Sequence, residues 1–296
     1  MSRALRLTAV MAAACALAGM SGCSLWPTTR RLPKPRVPVV TRTVTPAELV
    51  KQMNERWGAL DGLTATVEMQ ATELKTKEGL AKDFPSGKGY IVMRKPEMLR
   101  VVGTYFGVRI FDMASNGKTF KLYIPSKNVA FEGSNTSSEK SQNTLYNLRP
   151  GFFFDSMVVR GLNPDDLYSV TADTETIEDV KKKHLLLVPE YILNVMRRQE
   201  GTQELTPVRV VTFHRDDLLP YEQDLYDEKG NLVTQVNYAN YNDFGSGLFP
   251  ARVVIKRPEE GIAITLDVLR VTKNPTFPAD EFEVKIPDGT KIETLH

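Results

Sequence analysis

Between residues 63 and 72 every second side chain is apolar. Leu63, Ala65, Val67, Met69 and Ala71 alternate with Thr64, Thr66, Glu68, Gln70 and Thr72. A period of two is the mark of a strand with one face buried and one face wet. The pattern returns along the chain and predicts strands near 87–94, 98–105, 108–114, 118–124 and 128–132. A second group follows near 167–172, 183–189, 207–214, 221–227, 231–238, 248–256 and 261–271. Turn chemistry separates several of them: Asn116-Gly117, Lys229-Gly230-Asn231 and Pro258-Glu259-Glu260-Gly261. So many antiparallel strands with so few helices bury their apolar faces as one large curved sheet or open barrel. The chain is therefore mainly β, and it shows no internal repeat.

Helical signals are confined to two places. Thr45-Pro46-Ala47-Glu48 reads as an N-cap, a proline at N1 and the glutamate of a capping box. Leu49, Met53, Trp57 and Leu60 then share one face, so an amphipathic helix is expected over about 46–60, ended by Gly58 and Gly62. In the middle, 134–165 breaks the strand pattern. A polar run from Ser134 to Asn143 precedes Leu145, Tyr146 and Leu148, and Pro150 opens the segment Gly151-Phe152-Phe153-Phe154-Asp155-Ser156-Met157. One or two short helices are expected there, closed by Gly161 and Pro164. Pro275, Phe277, Pro278, Phe282 and Pro287 predict an irregular C-terminal tail.

The N-terminus reads as an export signal. Arg3 and Arg6 precede an apolar run from Leu7 to Leu17, and small residues lead to Met20-Ser21-Gly22-Cys23. The run is too short to span a bilayer, which takes about 20 residues. The segment resembles a lipobox, which implies cleavage before Cys23 and acylation of Cys23 with palmitate-type chains. The plainer reading is an ordinary signal peptide with a chance cysteine. Residues 1–22 would then be a leader, 23–44 a tether and 45–296 one folded domain. The tether holds Pro27, Pro33, Pro35 and Pro38 among Arg30, Arg31, Lys34, Arg36 and Arg42, and suits an extended spacer. Two or more acyl chains would give stable anchoring. By the enteric sorting rule, Ser24 after the lipidated cysteine implies the outer membrane.

Loss of Arg3 and Arg6 takes the 38 basic residues to 36, equal to the 36 acidic ones. A near-neutral chain without a basic stripe gives no reason to expect a nucleic-acid partner. Of the two cysteines, Cys15 leaves with the leader and Cys23 carries the lipid, so no disulfide forms within one mature chain. Stability must come from an apolar core, which about 250 residues can supply.

Catalytic signatures are sparse. The histidines are His184, His214 and His296, and only His214-Arg215-Asp216-Asp217 has acid–base character. A turn between strands explains that cluster equally well. No P-loop, dinucleotide fingerprint, nucleophile elbow or H-E-x-x-H pattern occurs, and cysteine or paired-histidine metal ligands are lacking. Asp165-Asp166 reads as a solvated turn. The expectation is a protein that is not an enzyme and needs no cofactor or metal.

Several stretches resemble the LolA/LolB group of bacterial lipoprotein carriers and receptors. Gly89-Tyr90-Ile91-Val92-Met93-Arg94-Lys95-Pro96-Glu97-Met98-Leu99-Arg100 is similar to that group's strand, R-K-P turn and strand. Asp112 to Asn128 is similar to its next hairpin, and Leu248-Phe249-Pro250-Ala251-Arg252-Val253-Val254-Ile255 to a late strand that Ile262 to Val271 follows. The resemblance covers most of 45–285 and implies a strongly curved antiparallel sheet forming an incomplete, half-open barrel, with an N-terminal helix and a short helical lid. A lipidated N-terminus implies the anchored, receptor-like branch. The chain is longer than that branch, notably between 173 and 205 and in its tail.

Under that resemblance the sheet would bind acyl chains. Val67 and Met69 would line the cavity, and Phe152, Phe153, Phe154 and Met157 would form a lid over it or a permanent plug within it. Phe106, in Tyr105-Phe106-Gly107, would protrude to insert cargo into a membrane, or fold back on the sheet. The implied partners are lipid acyl chains or lipoprotein cargo and a soluble periplasmic carrier, with the protein working as a monomer at the outer membrane, facing the periplasm. Two other readings stand beside it: an envelope structural or sensory lipoprotein whose groove takes a protein partner, and an anchored hydrolase using His214 with Asp216 or Asp217.

Overall fold

A computed structural model describes residues 40–75, 80–135, 150–179 and 184–295. The leader, Cys23, the tether up to residue 39, the polar run from 136, Leu145, Tyr146, Leu148, Lys181 to Lys183 and His296 lie outside the described residues. By its contacts the described chain divides into two units, residues 176–186 falling in one, and 40–175 with 187–295 in the other. The core and both hollows described below belong to the second.

The first helix, α1 (Pro46–Gly58), starts on the capping box read from the sequence. Glu48 N donates to Thr45 Oγ1, while Thr45 N donates to the Glu48 carboxylate at 2.7 Å. It buries Leu49, Val50 and Met53 against Tyr191, Leu193, Val211 and Phe213. The segment just before it is docked rather than free. Arg42 N donates to Arg215 O, and Val44 N to the Tyr191 hydroxyl.

Among the described residues, fifteen strands form one sheet. The first half runs β1 (Gly62–Lys75), β2 (Leu80–Asp83), β3 (Gly87–Arg94), β4 (Met98–Tyr105), β5 (Val108–Ser115), β6 (Thr119–Ile124) and β7 (Val129–Ser134). The helix α2 (Pro150–Met157) follows, and then β8 (Leu167–Asp179), β9 (His184–Arg198), β10 (Leu205–His214), β11 (Pro220–Tyr226), β12 (Leu232–Asp243), β13 (Leu248–Arg257), β14 (Ile262–Lys273) and β15 (Lys291–Leu295). Spatial order is β15-β7-β6-β5-β4-β3-β1-β14-β13-β12-β11-β10-β9-β8, with β2 paired to β1. Two antiparallel meanders are thus sewn together by β1, which pairs β3 on one side and β14 on the other. The edge strands β15 and β8 do not pair with each other, so the barrel stays open.

The alternation works as expected in β1, where Leu63, Ala65 and Val67 are buried. At the Asn116-Gly117 turn, Asn116 Oδ1 accepts from Lys118 N and Thr119 N, and Gly117 takes φ +89°, a conformation that favours glycine. The Lys95-Pro96 bond is cis.

Four expectations need correction. The sheet is not wholly antiparallel: β15 runs parallel to β7, pairing Ile292 with Ala130 and Thr294 with Glu132. The C-terminal tail therefore ends in a strand; five mixed residues carry too short a pattern to announce it. The short strand β2 was also unforeseen. Strands β8 and β9 run to Asp179 and Arg198, well beyond 172 and 189. Asp166 is no solvated turn: its buried carboxylate accepts from Arg197 at 3.1 Å and from Asn163 N at 2.9 Å.

Candidate functional site

The helix α2 carries an apolar segment into the main core. Phe152, Phe153, Phe154 and Met157 are all buried, as is Ser156. Polar clamps hold the helix there. Gln223 Nε2 donates to Asp155 O at 2.8 Å, and the Asp155 carboxylate pairs closely with the Arg160 guanidinium. Arg160 also lies 4.8 Å over the Phe154 ring and bonds Glu97 in the β3–β4 turn, while Arg257 lies 5.4 Å from the Phe152 ring. Burial pushes the Asp155 carboxyl above its usual range, against the opposing pull of Arg160.

Two hollows flank this helix. The first, about 260 Å³, is bounded by fifteen residues from β1, β3, β4, β5, β6, β14, α2 and the chain before β3. Among the described residues Lys88 and Thr104 are its polar members; Met69, Ala71, Ile110, Phe111, Met113, Leu122, Ile264 and Phe153 make most of its wall. Its shape depends on a missing side chain. A Cβ on Gly103 would stand 2.2 Å from the Phe111 ring, so only glycine lets that ring lie across β4.

The β4–β5 hairpin stands at the edge of the first hollow. Its tip residues Phe106 and Gly107 have φ +47° and +79°, and Tyr105 pairs with Val108 across them. Phe106 is 89% exposed, Val108 67% and Ile110 43%. Three apolar side chains thus face solvent on one short hairpin, and Ile110 also lines the hollow. A bulky residue at positive φ is costly in a turn that glycine or asparagine would fill without strain.

The second hollow, about 530 Å³, lies between α1, the segment Met157-Val158-Val159 and the ends of β10 to β14. Its floor is apolar: Met53, Met157, Phe213, Tyr238 and Phe249 are buried. Trp57 meets Phe154 edge-on at 6.3 Å and carries the Lys95 ammonium 3.9 Å above its ring. Arg56 and Lys273 are also among its lining residues.

The residues expected at the cavity are divided by this arrangement. Met69 and Phe153 line the first hollow and Met157 the second. Val67, Phe152 and Phe154 line neither. Val67 is closed off because it pairs with Gly89, whose Cα side the valine fills; a Cβ there would meet Val67 Cγ2 at 2.8 Å. Phe152 and Phe154 lie under the Arg257 and Arg160 guanidiniums. Phe106 points out rather than back. The walls supplied by Phe111, Met113 and Leu122 were missed, although their strands were expected, because period two gives a buried face and not the empty part of it.

Around His214 the groups are committed elsewhere. The imidazole stacks on Tyr221 at 3.9 Å, and Tyr221 donates a short hydrogen bond to Glu190. Asp216 Oδ1 accepts from Asp217 N, and Asp217 Oδ1 from Leu219 N, as carboxylates in a turn do. Among the described residues no group of three histidine, cysteine or acidic side chains could hold a metal ion.

No family model matches this sequence, and no curated protein does. Solved structures do. A LolA superfamily protein from Nitrosomonas europaea is 15% identical, over 82% of this chain and 99% of its own, at a TM-score of 0.50. A DUF1329 family protein from Desulfovibrio piger is also 15% identical, over 80% of this chain and 95% of its own, again at 0.50. At such identity the likeness concerns backbone architecture, and on that ground this chain has the half-open barrel fold of the LolA superfamily.

Proposed function

We propose that this chain is an envelope protein that binds acyl chains of lipids or lipoproteins and delivers them to a membrane, without catalysis. One observation carries the reading: an apolar hollow left unfilled, with an exposed apolar hairpin at its edge. Acylated Cys23 would hold the protein at the outer membrane, facing the periplasm, where a soluble carrier hands over cargo. The fold shared with the Nitrosomonas europaea protein agrees with that role but does not assign it.

The mechanism is competition for burial. The first hollow is small for a whole chain, and Phe153 forms part of its wall. Moving α2 aside would enlarge it and would expose Phe152, Phe153, Phe154 and Met157. At about 1.5–3 kcal/mol per side chain that costs roughly 6–12 kcal/mol, which about 8–15 buried methylenes return. One acyl chain of ordinary length is therefore near balance with the helix. That is what a carrier requires, since cargo held far more tightly would never leave. Phe106, Val108 and Ile110 would meet the bilayer first and place the outgoing chain among lipid tails.

The test is native mass spectrometry and lipid extraction of the mature protein purified from cells. Co-bound acyl chains are expected, and Ala71→Phe, which fills the first hollow, should lower their occupancy at least several-fold. Protein that carries no chain after purification, and none after incubation with lipid, overturns the proposal.

A further inference from the structure

The second hollow is richer in cations than the first, whose lining includes Lys88 alone of the charged residues. Its floor is apolar and aromatic, but two cations stand at its rim, where Arg56 is exposed and Lys273 half-buried. Among the described residues, neither has a carboxylate within ion-pairing distance. Arg56 Nη1 donates to Leu218 O at 2.8 Å, and Lys273 Nζ to Leu248 O at 3.1 Å. The acidic groups that bear on them are Asp217 for Arg56 and Asp243 for Lys273, with Tyr241 beside Arg56 and Arg42 opposing it. Both aspartates are engaged by backbone amides: Asp217 by Leu219 N, Asp243 by Gly245 N and Gly247 N. Guanidinium and ammonium thus each keep donors that backbone carbonyls leave unused.

We propose that this hollow is a binding site, separate from the first, for an amphiphile with a single anionic head. Arg56 and Lys273 hold the head at the rim, and the hydrocarbon part lies inward against Trp57, Met157 and Phe249. Its volume suits one small ligand rather than a diacyl lipid. Burial draws the half-buried Lys273 ammonium below its ordinary pKa range, and an anion would reverse that pull. A carboxylate or a phosphate would serve, from a free fatty acid or from a lysophospholipid headgroup.

The experiment titrates the purified protein with dansyl-labelled undecanoic acid and with its methyl ester, read by dansyl fluorescence. The acid is expected to bind about tenfold more tightly, as one charge-assisted hydrogen bond provides. Lys273→Met and, separately, Arg56→Gln should weaken the acid by a similar factor and leave the ester unchanged. Two variants are used because either side chain also supports a backbone carbonyl. Ala71→Phe, which blocks the first hollow, should leave the preference for the acid intact, so failure of this site and failure of the acyl site are distinguishable. Competition by laurate would identify a fatty acid as the source, and by lysophosphatidylglycerol a phospholipid. Equal binding of acid and ester, no binding of either, equal weakening of both by the variants, loss of the preference in Ala71→Phe, or equal competition by lysophosphatidylcholine would each overturn the proposal.

Discussion

Phe106 occupies a position that folding alone gives no reason to fill with phenylalanine. It is almost fully exposed, so it contributes little burial, and its φ of +47° carries the steric penalty of the left-handed region. A strained, exposed aromatic is an observation from which function can be inferred. Phe106→Asn should therefore stabilise the protein by about 1 kcal/mol, seen as a higher thermal midpoint, while reducing flotation with lipid vesicles. A variant that floats as well as the parent would remove the hairpin from the delivery step. Asp155 yields a prediction of the opposite kind. Burial raises its folded pKa above the unfolded value, so the folded state holds the proton more firmly. Its contribution is fullest below the unfolded value and is lost as pH rises through the raised one. As pH is lowered from neutral towards the ordinary aspartate value of about 3.9, the wild type should gain thermal stability relative to Asp155→Asn. A difference that is flat, or that moves the other way, would show that Arg160 rather than burial governs this carboxyl.

The two described α-helices differ in how their sequences specify them. The start of α1 was legible because Thr45, Pro46 and Glu48 act locally, and their hydrogen bonds are the ones the pattern implies. For α2 the run of three phenylalanines announced burial but not what it buries against. Lid and plug share a composition; they differ in the free energy of a second position. Phe153→Ala distinguishes them. Truncating a buried phenylalanine costs about 3–5 kcal/mol, and the wall it leaves would widen the first hollow. If α2 competes with cargo, the variant should be less stable and yet hold more acyl chain per protein, measured by extraction and mass spectrometry. Lower stability with no gain in bound chain would make the helix a permanent filler.

Strands β1 and β14 join the meanders, and the chain's end finishes one edge of the sheet. The strand β15 covers β7, whose unpaired amides and carbonyls would otherwise template another chain. Removing residues 289–296 should lower the thermal midpoint and produce self-association visible in sedimentation velocity. A truncated chain that stays monomeric and equally stable would show that this edge needs no cover.

Strand positions, turns and the capped helix were readable because each rests on contacts within a few residues: side-chain alternation, Asn116-Gly117, the Thr45–Glu48 box. Non-local pairings were not readable in that way. The parallel seating of β15 on β7, the docking of residues 42–44, the burial of Asp166 and the long strands β8 and β9 depend on partners far along the chain. The hollows depend on still more. An empty space has no sequence pattern, because it is the volume that many packed side chains together fail to fill, as Gly103 and Phe111 do beside Met69. Local chemistry wrote the strands, and distant packing left the room between them.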